Sequence, residues 1–343
     1  MIKMASRKRY ASSTDVAQLA GVSQSAVSRT YREGTSVSEE TRRKVLEAAT
    51  ALDYRPSMIP RIMLTHRSHL VAVVVGGLYN PFYATVLETF AARLQEAGYQ
   101  VLLMHTDSGH SLDGIIPRLS SYRVDAIVSA LAVVSAAAAQ ALAKLRIPVV
   151  LFNAAVSNAW VSSVCSDNLG ASRAVAAHFL ERGARRFGFI SGPVNSSASR
   201  DRLEGFRSRL VENGIERIAI AEADYHYEGG RAAARAMFGG ARSPDALFCA
   251  NDLMAMGAMD ALRTDLGLRV PEDILIAGFD DVPAAAWAAY GLTTVVQDAS
   301  TMVDKTIELV EATMAQHETG GARRVVVPAT LVVRGSTDRL GSS

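Results

Sequence analysis

From Leu70 onward, short β-branched runs alternate with stretches whose apolar residues recur every three or four positions. The runs "LVAVVV" (70–75), "YQVLLMH" (99–105), "VDAIVSAL" (124–131) and "IPVVLF" (147–152) are short and nearly continuous, the mark of buried strands. A helical stripe covers 82–96, between the first two. A second series follows: a helix capped by Asp167 and running to about Arg182, a strand "RFGFI" (186–190), and a helix from Arg200 to Glu212. It continues with a strand "ALFCA" (246–250), a helix from Asp252 to Leu266 and a strand "ILIAGF" (274–279). Repeated strand–helix units predict an α/β fold with parallel sheets. Single cores stop growing at roughly 250 to 300 residues, so two doubly wound halves fit this length better than one sheet. Ligands of such sheets bind at the carboxyl ends of the strands, which makes a cleft between the halves the default site.

Residues 1–55 carry no strand pattern and read as three short helices, Thr14 to Ala20, Gln24 to about Thr30, and Glu39 to about Leu52. Gly21 separates the first two and supplies the positive φ of a sharp turn. Ser23 is placed as an N-cap, with Val22 before it set to pack on Val27 as a hydrophobic staple. Val16, Leu19 and Ala20 supply the facing stripe of the first helix, and small Ala17 permits close approach. This is a helix-turn-helix pattern. In a second helix entering the major groove, Gln24 and Ser25, with Arg29 one turn on, reach base edges. Thr14 and Ser28 are short polar side chains suited to phosphates, and Ser23 is counted with the DNA-binding set. The pattern alone also fits an ordinary helical hairpin with solvated polar faces. Beyond it, "RPSMIPRIMLTHRSH" (55–69) has the prolines and basic residues of a linker.

Composition sharpens this division. The 343 residues are 49% hydrophobic, enough for real cores, and the net charge is only +2. That charge is split: residues 1–67 carry 12 Lys/Arg against 6 Asp/Glu, and the remainder 24 against 28. A basic amino end points to an anionic polymer as its partner. Two cysteines, Cys165 and Cys249, do not make a disulfide framework, and the basic start "MIKMASRKRY" lacks the apolar segment of a signal peptide. No apolar run approaches the length of a membrane span, so the expectation is a cytoplasmic protein with no membrane partner. No metal motif, no cofactor fingerprint and none of the local hydrolase, kinase or metalloprotease signatures occurs, which argues against an enzyme.

"TDVAQLAGVSQSAVSR" with "VSEETRRKVLEAATALDYRP" (37–56) resembles the headpiece of the lactose/galactose repressor family. The likeness continues through "GLYNPFYATVLETFAARLQEAGYQVLLMHT" (77–106), "DNLGASRAVAAHFLERGARRFGFISGP" (167–193), "ANDLMAMGAMDALRTDLGLRVPEDILIAGFDD" (250–281) and "LVVRGST" (331–337). The resemblance implies a headpiece over 1–56, a hinge over 57–69, and a periplasmic-binding-protein-like core over 70–343. Its N-subdomain would take about 70–166 and 297–322, and its C-subdomain about 167–296 and 323–343. It implies a homodimer on a pseudo-palindromic double-stranded DNA operator, controlled by a small-molecule effector, a sugar, polyol or sugar acid. In the hinge, Met63 takes the place of the family's minor-groove leucine, Arg61 adds basic charge, and Pro60 falls at the third position of a helix capped by Ser57. Effector contacts carry over to Asn80, Phe82, Asn153, Arg202, Tyr225, Asn251 and Asp280. Some of these residues and their chain neighbours have a structural alternative: Asn251 and Asp252 as helix caps, Asp281 as a turn residue, Phe82 as plain core. Two other classes share the two-lobed pattern. A solute-binding protein has no use for a basic helix-turn-helix, and an α/β enzyme would have to work through Asp280, Asp281 or His226.

Overall fold

The computed structural model describes residues 10–31, 36–56, 67–76, 78–106, 115–131, 137, 140–141, 144, 147–155, 161–239, 243–315 and 321–338. The chain divides into two compact units, Met1–Arg67 and Ser68–Ser343. The expected hinge residues Ser57, Pro60, Arg61 and Met63 lie outside the described residues.

In the first unit, helix α1 (Ser13–Ala20) opens on a capping box: Ser12 accepts from the Asp15 N–H, and Asp15 accepts from the Ser12 N–H. It stops at Gly21, whose φ of 66° is the left-handed turn that the sequence requires there. Helix α2 (Gln24–Thr30) starts under the hydroxyl of Ser23, and α3 (Glu39–Ala51) under that of Ser38. Val16, Ala17, Val27, Val45, Ala48 and Ala49 form the core of the three helices, with Ala20 and Val22 packed at its edge. Leu19 corrects the expected stripe: it is 57% exposed. The buried face of α1 centres on Val16 and Ala17, and Leu19 falls outside the arc they define.

The second unit contains two parallel sheets. The larger has strand order β11-β5-β4-β3-β1-β2, made by β1 (Leu70–Val75), β2 (Gln100–His105), β3 (Ala126–Ala130), β4 (Val149–Phe152), β5 (Ser162–Ser166) and β11 (Arg324–Val327). Its helix α4 (Pro81–Glu96) turns Phe82, Val86, Phe90 and Leu94 inward, four residues one helical turn apart, and the short α5 (Ile116–Tyr122) precedes β3. The smaller sheet has order β7-β6-β8-β9, from β6 (Phe187–Ser191), β7 (Ile218–Glu222), β8 (Ala246–Cys249) and β9 (Leu275–Ala277). Around it lie α6 (Asn168–Glu181), α7 (Ser197–Val211), α8 (Tyr227–Phe238) and α9 (Asp252–Asp260), which runs on as a π turn to Asp265. Phe179, Phe187, Phe189 and Phe248 gather around Phe206, all buried.

Strands β10 (Thr294–Gln297) and β12 (Ala329–Val332) pair antiparallel between the lobes. Helix α10 (Ala299–Ala315) follows β10 and packs on α4 and on the larger sheet. The expected placement of 323–343 in the C-subdomain is corrected here. Arg324–Val327 pairs in parallel with Ser163–Ser166 and extends the larger sheet, so the chain leaves that lobe only after Val327. The segment's short valine run does not reveal this, because its partner is remote in sequence. The chain then ends its described course against the smaller sheet, where Ser336 donates to the Ile276 carbonyl at 2.6 Å.

Candidate functional site

The first unit places Thr14, Ser23, Gln24, Ser25, Ser28 and Arg29 together on exposed surface of α1 and α2. Not all are equally available. The Ser23 hydroxyl caps α2 and is also 2.9 Å from the Ser25 hydroxyl, so these two serines satisfy each other. Gln24 donates from Nε2 to the Ser13 Oγ at 2.9 Å, and Arg29 donates from Nε to the Ser25 carbonyl at 3.3 Å. Two further basic residues of the headpiece have protein partners: Arg42 donates to the Thr30 carbonyl, and Arg43 pairs on the exposed surface with Glu47 at 3.2 Å.

The second unit brings all seven expected effector residues to one cleft at the carboxyl ends of the strands. Asn80 follows β1, Asn153 follows β4, Tyr225 follows β7, Asn251 follows β8 and Asp280 follows β9; Phe82 and Arg202 reach in from α4 and α7. Asn80 does two jobs. Its Oδ1 caps α4 by accepting from the Phe82 N–H at 3.0 Å, and its Nδ2 donates to Asp280 Oδ2 at 2.9 Å, tying one lobe to the other. Asp280 Oδ1 accepts from Gln297 Nε2 at 2.6 Å and lies 3.8 Å from the Arg202 guanidinium. Gln297 in turn accepts from the Ser166 hydroxyl at 2.6 Å, so a single side chain joins the ends of β5 and β10 to the cleft. Burial pushes the Asp280 carboxyl above its usual range, against the opposing pull of Arg202, Asn80 and Gln297.

Arg202 is 2% exposed and largely engaged by the protein. It donates to Asn168 Oδ1 at 2.8 Å and to the Ala250 carbonyl, and lies over the Phe279 ring at 3.6 Å. Tyr225 has a left-handed φ of 68°, and its hydroxyl is 2.7 Å from that of Ser196. Its ring lies against the backbone of Gly192, where a Cβ would come within 2.2 Å. Asn153, also left-handed at 55°, is 5% exposed, and its Oδ1 has no hydrogen-bond partner among the described residues. A buried acceptor left in this state costs about 1 to 3 kcal/mol, which a ligand donor would recover.

The structural alternatives resolve in different directions. Asn251 does cap α9, accepting from the Met254 N–H at 3.0 Å, and also holds the Tyr225 carbonyl and lines the cleft. Asp252 is no cap. It is 0% exposed, and accepts from the Thr294 hydroxyl and from the Val282 N–H at 2.9 Å. Burial, then the nearby Asp280 charge, pushes its carboxyl up to about 7. Asp281 pairs with Arg334 at 2.7 Å. Phe82 is both core and cleft wall. His226 stacks on Tyr79 across the lobes, ring centroids 3.7 Å apart and planes 20° apart. Tyr79, Tyr83, Ser196 and Gln297 were not anticipated; for Gln297 the only signal is a lone amide ending the apolar run "TTVVQ". Among the described residues no group of His, Cys, Asp and Glu could hold a metal ion, and no helix is long and apolar enough to cross a membrane.

A helix-turn-helix joined to a two-lobed sheet pair with a polar, aromatic-walled cleft defines a DNA-binding regulator with a small-molecule site. Residues 14–57 match the model of bacterial regulatory proteins of the lacI family, and residues 176–337 that of the periplasmic binding protein-like domain. The chain is 32% identical over 339 residues to the HTH-type transcriptional regulator CelR of Thermobifida fusca, covering 96% of this chain and 99% of that protein. It is 30% identical to the HTH-type transcriptional repressor PurR of Photobacterium profundum, covering 86% of this chain and 89% of that one. Among solved structures, the lac repressor dimer bound to operator and the anti-inducer ONPF superposes with a TM-score of 0.87 at 26% identity, covering 96% and 99% of the two chains. The complex of CelR with cellobiose gives 0.73 at 31% identity, covering 95% of this chain and 99% of that one. The chain belongs to the lacI family of bacterial regulatory proteins, and it is a ligand-responsive transcriptional regulator.

Proposed function

We propose that the protein is a cytoplasmic repressor that binds a pseudo-palindromic operator as a homodimer and is controlled by a neutral sugar or polyol in the cleft. Thr14, Ser28, Arg61 and the headpiece charge position it on phosphates, Gln24 and Arg29 read bases, and Met63 enters the minor groove between half-sites. Ser25 contributes once DNA draws its hydroxyl from Ser23. In the cleft, Asn80, Asn153, Arg202, Asn251 and Asp280 supply the polar contacts, and Phe82 and Tyr225 the walls.

The observation that carries the effector reading is the balance of this cleft. Asp280 and Arg202 offset each other's charge, and the guanidinium already serves Asn168 and Ala250, so the site holds little unspent charge for an acid. What it offers is the unpartnered Asn153 carbonyl oxygen, other amides, and aromatic walls, a set matched to hydroxyls on an apolar ring. The solved cellobiose complex of CelR supports the same class. A thermal-shift panel of neutral sugars, polyols and sugar acids tests it, because a ligand specific to the native state raises its stability with concentration over Kd. A neutral sugar that raises the melting temperature and changes operator affinity is the expected result. Stabilisation by sugar acids alone would overturn the neutral-ligand reading.

A further inference from the structure

The base-reading end of α2 is braced by a residue outside the set assigned to DNA. Ser13 is the first residue of α1 and Gln24 the first of α2, and the 2.9 Å hydrogen bond from Gln24 Nε2 to Ser13 Oγ ties these two helix starts together. Ser13 is itself anchored, being half-buried and following the Ser12–Asp15 capping box. The long glutamine side chain is therefore held at its tip by a rigid element.

A primary amide carries two N–H donors and one carbonyl acceptor. Unrestrained, Gln24 could turn its nitrogen toward guanine, which shows two acceptors in the major groove, or turn nitrogen and oxygen together toward adenine, which shows one acceptor and one donor. The bond to Ser13 consumes one N–H. The remaining N–H and carbonyl oxygen form a donor–acceptor pair, the complement of the adenine edge and a poor match to guanine. Reversing the amide so that its oxygen accepts from Ser13 still leaves a donor beside a remaining lone pair, so the conclusion survives that exchange. We infer that Ser13 is a positioning residue that fixes Gln24 as a reader of adenine in each half-site. This rests on the operator-binding function proposed above, and assigns the base and the brace that selects it.

The test is selection from a random duplex library by the full-length protein and its Ser13→Ala, Ser13→Thr and Gln24→Ala variants, with affinity for random DNA measured at the same salt. The wild type is expected to select a two-fold symmetric site containing an adenine whose preference disappears in Gln24→Ala. Ser13→Ala should lower the adenine-to-guanine preference at that one position by about fivefold, leaving the other positions and the random-DNA affinity unchanged, and Ser13→Thr should restore it. Ser13→Ala with the adenine preference intact, a Gln24-dependent position that is not adenine, or loss at every position without rescue by threonine overturns the assignment. Absence of any selected sequence in the wild type overturns the operator-binding reading itself, a different outcome from the others.

Discussion

Asp252 carries a pH-dependent cost that one substitution should remove. It has no exposure, and its two oxygens are taken by Thr294 and the Val282 N–H. Burial and the Asp280 charge raise it from 3.8 to about 7. The native chain therefore keeps a proton over a range in which the unfolded chain has lost it. Its contribution to stability is full below pH 4 or so and is lost as pH rises toward 7. At about 1.4 kcal/mol per pH unit, this amounts to roughly 2 to 4 kcal/mol, the lower end applying where Asp280 shares the proton. Asp252→Asn keeps both hydrogen bonds, its oxygen accepting from Val282 and its nitrogen donating to a rotated Thr294 hydroxyl, but has nothing to ionise. Comparing urea melts of both proteins at pH 5 and pH 7.5 cancels the contribution of titrating groups that do not interact with Asp252, leaving the Asp252–Asp280 pair. Relative to the wild type, the variant should gain roughly 2 to 3 kcal/mol between pH 5 and pH 7.5, the rest of the contribution having been lost already below pH 5. Equal pH slopes, or a wild type that gains on the variant as pH rises, would refute the argument.

Three further outcomes are expected. Arg29→Ala should relax base preference and cost roughly 1 to 3 kcal/mol on operator; equal loss on operator and random DNA in a fluorescence anisotropy titration would exclude a base contact. Asp280→Asn strands Arg202 without its carboxylate in a buried site and should destabilise the core by about 3 to 5 kcal/mol in a denaturant melt. Where that variant remains folded, operator affinity should stay close to wild type while the effector no longer changes it, and a preserved response means the cleft is misassigned. Phe206→Ala empties the centre of the aromatic cluster and should cost about 3 to 5 kcal/mol in the same melt, with no change in base preference.

The parts legible in the sequence were those whose cause is local. Gly21, Ser23 and the Val22–Val27 staple lie within seven residues of one another, and the turn they specify is the turn found. The lobes were legible for a similar reason, since strands buried on both faces read as continuous apolar runs. Illegible were the features settled by remote partners. Val325 meets Val164, and Gln297 meets Ser166 131 residues away, so neither the true end of the larger sheet nor the bridge beneath the cleft leaves a periodic trace. Leu19 differs: a leucine beside a helical stripe reads as part of it, though three helices of this size cover only a narrow arc and leave it 57% exposed. The cleft residues fell between these cases. Their chain positions were legible from the resemblance, whereas Asn80 and Asn251 each proved to serve a helix cap and the cleft at once.

The late arrival of β11 has a bearing on biosynthesis. Arg323 donates to a serine hydroxyl, that of Ser162, 161 residues upstream, and strand β11 begins at the next residue. At roughly 5 to 20 residues per second, a ribosome needs about 8 to 32 s to cover that interval. All three headpiece helices precede even β5, so the module that grips DNA emerges and can mature while the apparatus that governs it is still missing an edge. During that interval each nascent chain holds a reader not yet under metabolic command.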